Sequence, residues 1–132
     1  MTRDQARVKA DFLKLKSAHC CAFPPRGGLS YVPHKQGVYI IYSPRAKTVV
    51  HVGRTYRATA GLRQRLENHL HAQSSFTNEF LKGHGRKLRK GYTFRYLTAT
   101  SGRRRALLEA YTIGCLCPVH LGTHGKKLLK EG

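Results

Sequence analysis

The sequence predicts an α+β fold in which a small three-stranded antiparallel sheet is flanked by helices, with a basic helix at the N-terminus. Three observations carry that expectation. Residues 38–42 and 48–52 are β-rich runs joined by a turn-forming SPRAK segment. Residues 92–98 alternate Tyr, Phe and Tyr with Thr, Arg and Leu, a two-residue period. Leu62, Leu66 and Leu70 recur every four residues, which is a helical period.

Taken in order, Val8, Phe12 and Leu15 give residues 3–17 an amphipathic, basic helix. Pro24, Pro25, Gly27 and Gly28 break it. Residues 38–52 form a hairpin, because a short turn with Pro44 early in it suits an antiparallel connection. The next helix carries Leu62, Leu66, Leu70 and the stem of Arg63 on one stripe. Arg65 and His69, four residues apart, share another face. A shorter helix spans 74–82, with Phe76 and Phe80 on one side, and the glycine-rich run GHGRKLRKG at 83–91 reads as a loop. Ser101 is placed to cap a last helix through Leu107, Leu108, Tyr111 and Ile113, which Cys117-Pro118 ends.

The chain has 132 residues, room for one domain. Within it, residues 1–36 form a helix and loop extension, 37–121 a core and 122–132 a basic tail. No apolar run approaches the roughly 20 residues of a membrane helix, so a membrane partner is not expected. The N-terminal segment lacks the apolar stretch of a secretory signal, which points to a reducing, cytoplasmic setting.

Charge narrows the function. Lys and Arg number 25 against 6 Asp and Glu, a net +19, so a polyanion is the expected partner. The four cysteines, at 20, 21, 115 and 117, lack zinc-knuckle spacing; small buried thiols are expected, with a composite site near His19 or His120 as the alternative. Arg86, Lys87, Arg89 and Lys90, with Arg54 and Arg63, are the candidate phosphate contacts, and a merely solvated loop is the other reading of 83–91.

Glu109 stands inside the apolar run ALLEAYTIGCL of a chain with few other acids. A carboxylate there needs a partner or a cation. Arg103 and Arg105 are the nearest partners in sequence; a metal ion is the alternative.

Gly37-Val38-Tyr39, then His51-Val52-Gly53-Arg54-Thr55, then Arg65 with His69, then Glu109, then Pro118 follow one another in an order that resembles the GIY-YIG nuclease family. The resemblance implies that Tyr39 and His51 stand on neighbouring strands, that Arg65 reaches the scissile phosphate and that Glu109 holds one Mg²⁺ or Mn²⁺. Tyr39, His51, Arg54, Arg65, His69 and Glu109 are thus the candidate catalytic residues, and DNA, single- or double-stranded, the implied substrate. His51 replaces the tyrosine of the second motif, and no asparagine follows Pro118, where Val119, His120 and Leu121 stand. Tyr39, at an ordinary pKa near 10, needs a neighbouring cation to act as a base, and His51 at about 6.5 is the alternative base. His69 reads equally as a surface histidine near a helix end. Sequence readout would come from residues 1–36, from 83–91 or from a homodimer. Two other readings stay open: a non-catalytic nucleic-acid-binding module on this scaffold, and a basic RNA-binding protein in which Glu109 is a salt-bridge partner.

Overall fold

A computed structural model describes residues 1–45, 48–56 and 60–122. The elements are α1 (Arg3–Lys16), β1 (Cys21–Ala22), β2 (Gly37–Tyr42), β3 (Val49–Arg54), α2 (Leu62–Leu70), α3 (Ser75–Phe80), a 3-10 helix (Gly85–Arg89), β4 (Thr93–Thr98) and α4 (Gly102–Leu116). The architecture is α+β, as expected, but the sheet has four strands rather than three, in the antiparallel order β1-β4-β2-β3. The added strand is two residues long, with Cys21 opposite Phe94 and Ala22 opposite Thr93. Two residues cannot display a period of two, so composition alone does not reveal it.

β2 lies between β4 and β3, and all six of its residues are buried. This explains its unbroken GVYIIY run: a strand covered on both faces has no solvent side to make polar. Tyr39 and Ile41 face a core made with Leu62, Leu66, Leu70, Phe76 and Phe94. Val38, Ile40 and Val52 face a second core with Leu15 and Leu108. Thus α2 and α3 cover one face of the sheet, and α1 and α4 the other. Burial of Leu62, Leu66 and Leu70 agrees with the stripe read from their spacing.

Charge pairs join α1 to α4. Arg104 donates two hydrogen bonds of 2.6 Å to the buried carboxylate of Asp11, and Arg103 pairs with Asp4 at 2.8 Å. The forked geometry suits a planar guanidinium. Arg105 is buried and donates to the carbonyls of Thr55, Ala99 and Thr100, so it pins the end of β3 to the start of α4. Neither Arg103 nor Arg105 is the Glu109 partner that spacing suggested. At its far end α4 stops at Cys117 in the left-handed conformation, followed by Pro118.

Other boundaries shift by one or two residues, and 83–91 is not wholly loop. Its 3-10 helix packs on the C-terminal turn of α2, where a Cβ at Gly85 would overlap the carbonyls of His69 and Leu70. Of the cysteines only Cys21 is buried; Cys115 and Cys117 are exposed at the end of α4, against the expectation of buried thiols. The basic tail from residue 123 onward lies outside the described residues. Among the described residues no helix is long and apolar enough to cross a membrane.

Candidate active site

The register of the β2–β3 hairpin assembles the site. Tyr39 stands opposite Gly53 and Ile41 opposite His51, so Tyr39, Gly53 and His51 share the face covered by α2 and α3. A Cβ at Gly53 would overlap the Tyr39 hydroxyl and ring. The glycine of the second motif is therefore the space in which the tyrosine of the first one lies. Thr55 closes the hairpin's end: its N–H donates to the Gly37 carbonyl at 3.0 Å, and its hydroxyl accepts from the Gly37 N–H at 3.0 Å.

α2 brings His69 under Tyr39. The Tyr39 hydroxyl is 2.7 Å from His69 Nε2, and His69 Nδ1 is 2.7 Å from Ser74 Oγ. The remaining donors fix the direction of this chain. Thr77 Oγ1 donates its only proton to the His69 carbonyl at 2.5 Å, so it accepts from Ser74 Oγ at 3.1 Å. Ser74 Oγ, its proton used, accepts from His69 Nδ1–H. His69 Nε2 is then a lone pair that accepts from the Tyr39 hydroxyl. His69 is thus a fully buried ring, not the surface histidine that its place near a helix end allowed.

A second chain runs through His51. Its Nδ1 is 3.1 Å from His120 Nδ1, and His120 Nε2 is 2.9 Å from Glu79 Oε1. His120 is held beside β3 by its backbone N–H, which donates to the Val50 carbonyl at 2.9 Å. Phe76 stacks on His51 with ring centroids 4.7 Å apart and meets His69 edge-on at 5.4 Å, closing the cluster from α3.

Two opposite charges act on the Tyr39 hydroxyl. The half-buried Arg65 guanidinium favours its ionised form and Glu109 opposes it, but burial outweighs both and pushes the phenol up to about 12. The cation that acts to lower this pKa is Arg65, and desolvation of the ring is the larger effect. Burial likewise lowers His51 to about 3, with the charges of His120 and Arg65 adding to it, and holds His69 well below its ordinary range. His120 is lowered by burial alone. All three imidazoles are neutral at pH 7.

Glu109 approaches from α4, on the other side of the sheet, where Arg54 also leaves the end of β3 opposite Val38. Arg54 Nε stands 3.3 Å from Glu109 Oε1, and its guanidinium lies 5.0 Å from the centre of the Tyr56 ring. The pair lacks hydrogen-bond geometry at Nε and both side chains are partly exposed. Salt and competing cations act on such a pair.

Two of the candidate phosphate contacts have other partners. Arg63 donates to the carbonyls of Val32 and Ser30 at 2.6 and 3.0 Å, and Arg89 to that of Pro24 at 2.8 Å. Their forks hold surface loops in place. Arg86, Lys87 and Lys90 are exposed and, with His71 and His84, line a cleft of about 590 Å³ at the end of α2. This cleft begins one residue from His69.

The structure thus gathers Tyr39, His51, Arg65 and His69 on one face of the sheet and places Glu109 with Arg54 on the other, from where the Glu109 charge still acts weakly on the Tyr39 hydroxyl. Ser74, Thr77 and Glu79 were not among the expected site residues, and His120 was expected only as the alternative partner of a cysteine site. Only His120 left a signal, two residues past Pro118 where the resemblance expected an asparagine. Among the described residues no group of three or more His, Cys, Asp or Glu stands together as a metal cluster. Glu109 therefore fits a divalent ion only as a single hard oxygen ligand, with water and phosphate oxygens completing the shell, a mode that Mg²⁺ accepts. No family model matches the chain, and no curated protein matches it.

Proposed function

We propose that the chain is a divalent-metal-dependent endonuclease that hydrolyses phosphodiester bonds of DNA. The observation that carries this reading is the cluster built around the buried Tyr39 hydroxyl, 2.7 Å from His69 Nε2, with the His51 ring 6.0 Å from the Tyr39 ring and the Arg65 charge acting on both, and with Glu109 paired to Arg54 at the end of β3. Attack on a phosphodiester builds negative charge on the non-bridging oxygens and on the leaving oxygen, and preformed opposite charges stabilise it. Arg65 meets the first need, because a guanidinium stays charged at any working pH and forks two oxygens. For the second, Glu109 would hold a divalent ion, which would supply charge neutralisation at the leaving oxygen.

Tyr39 enters as a neutral phenol. With its pKa near 12 it keeps its proton and donates it to His69 Nε2, so it orients rather than deprotonates. The net +19 brings the polyanion to the surface, and Arg86, Lys87 and Lys90 extend the contact along the strand. Arg54 holds Glu109 until a metal or phosphate competes for it.

A second reading, a non-catalytic nucleic-acid-binding module on the same scaffold, draws support from the burial of Tyr39 and His69, both 0 % exposed. Incubating the protein with labelled single- and double-stranded oligonucleotides, in Mg²⁺, in Mn²⁺ and in EDTA, separates the two. Cleavage that requires the metal and is abolished by Glu109→Ala supports the nuclease. Tight binding without cleavage in either metal supports the module.

A further inference from the structure

Resting on the nuclease reading, we propose that Glu79 and His120 are positioning residues that hold His51 with Nδ1 protonated, leaving His51 Nε2 as the proton acceptor for the attacking water. The Glu79 carboxylate fixes the first proton. Glu79 Oε1 only accepts, so the 2.9 Å contact to His120 Nε2 places a proton on that nitrogen. Burial lowers the pKa of His120, so at neutral pH the ring carries a single proton. Its Nδ1 is then a lone pair. The 3.1 Å contact between the two Nδ1 atoms needs one donor, which is His51 Nδ1–H.

One proton on His51 leaves Nε2 as a lone pair. That atom is buried and finds no hydrogen-bond partner among the described residues. A buried acceptor without a partner is uncommon and calls for a reason. Every other ring nitrogen of the cluster is engaged: His69 by Tyr39 and Ser74, His120 by Glu79 and His51. The Arg65 charge acts on His51 as it does on Tyr39, whose ring lies 6.0 Å from that of His51. The opposite arrangement, with His120 donating to His51, would set a His120 lone pair against the Glu79 carboxylate.

The step balances. His51 Nε2 takes a proton from water, and the hydroxide oxygen forms a bond to phosphorus. The bond from phosphorus to the leaving oxygen breaks, its electron pair stays on that oxygen, and a solvent proton completes the alcohol. The imidazolium formed on His51 keeps its Nδ1–H directed at His120, which the partly exposed Glu79 carboxylate holds from its other nitrogen, so the pair orients the base without taking over its proton. Tyr39 does not compete for this role, because its proton is already directed to His69.

The test reads the proton directly. Long-range proton–nitrogen NMR correlation of the imidazoles should show His51 as a single species protonated at Nδ1 in the full chain. Glu79→Ala should mix the two forms and lower kcat on a DNA oligonucleotide by about 10–100-fold with unchanged affinity, and Glu79→Gln, which keeps an acceptor oxygen, should restore most of both. A parent protein with His51 protonated at Nε2 overturns the proposal, as does a Glu79→Ala variant with the parental tautomer and kcat. If the parent shows the expected tautomer yet cuts no DNA, the nuclease reading falls and the catalytic role of His51 with it, while the tautomer assignment stands.

Discussion

The Tyr39 hydroxyl lies 2.7 Å from His69 Nε2, and neither ring has any solvent exposure. In a dry site a hydrogen bond is worth most when its loss strands a partner. Tyr39→Phe removes the donor and leaves the His69 lone pair buried and unmatched. The expected loss is about 1–3 kcal/mol of stability, measured by urea unfolding; an unchanged midpoint would mean that this hydrogen bond does not form.

Gly53 makes the same tyrosine possible. Gly53→Ala sets a methyl on the Tyr39 hydroxyl and ring, so overpacking of about 1–3 kcal/mol is expected. In a Tyr39→Ala background the same substitution should cost much less, because the obstruction is gone. Additive effects in the double-mutant cycle would show that the two residues do not meet.

Acid should unfold the protein through its buried histidines. His51 is lowered to about 3, and His69 and His120 also lie below their ordinary range, whereas the unfolded chain takes up these protons near pH 6.5. Below that pH the unfolded state binds more protons than the folded one. Stability is therefore full above about pH 6.5 and declines as the pH falls, by up to about 1.4 kcal/mol per unit for His51 down to about pH 3, with His69 and His120 acting in the same direction. Unfolding free energies measured from about pH 7 down to about pH 5 should follow this slope. A flat profile would mean that folding does not lower these histidines.

How much of this was legible in the sequence depends on what each feature needs. The β2–β3 hairpin and the leucine stripe of α2 are local patterns, visible because period alone encodes them. The two-residue β1 is below the length at which a period exists, and it forms because Phe94 and Thr93 on β4 offer it an edge. The first-motif tyrosine, His51, Arg65 and His69 were brought together as their order suggested. Their burial, which raises Tyr39 and lowers the histidines, depends on Phe76 and on the β3 register, and no spacing reports that. The His51–His120 contact joins residues 69 positions apart, out of reach of any local signal. Glu109 did find an arginine, but in Arg54, which the register of β3 delivers rather than the turn of α4.

The basic cleft gives a salt-dependent outcome. Replacing Arg86, Lys87 and Lys90 by alanine together should weaken nucleic-acid binding uniformly across sequences. The dependence of log affinity on log salt should flatten by about 0.9 for each duplex phosphate that the variant no longer neutralises. The same change at Arg63 or Arg89 should instead lower stability, since those side chains hold loop carbonyls. An unaltered salt slope in the triple variant would remove the cleft from the binding surface.

The most direct measurement is the single-turnover rate of cutting, in saturating Mg²⁺, by the parent protein and by Arg65→Ala. The parent should cleave DNA. Arg65→Ala should bind the same DNA with nearly unchanged affinity, because it removes one charge from a net +19, and should cleave at least about 100-fold more slowly, the loss typical of a removed transition-state charge partner. Parental cutting by Arg65→Ala, or tight binding with no cutting by the parent, would contradict the account.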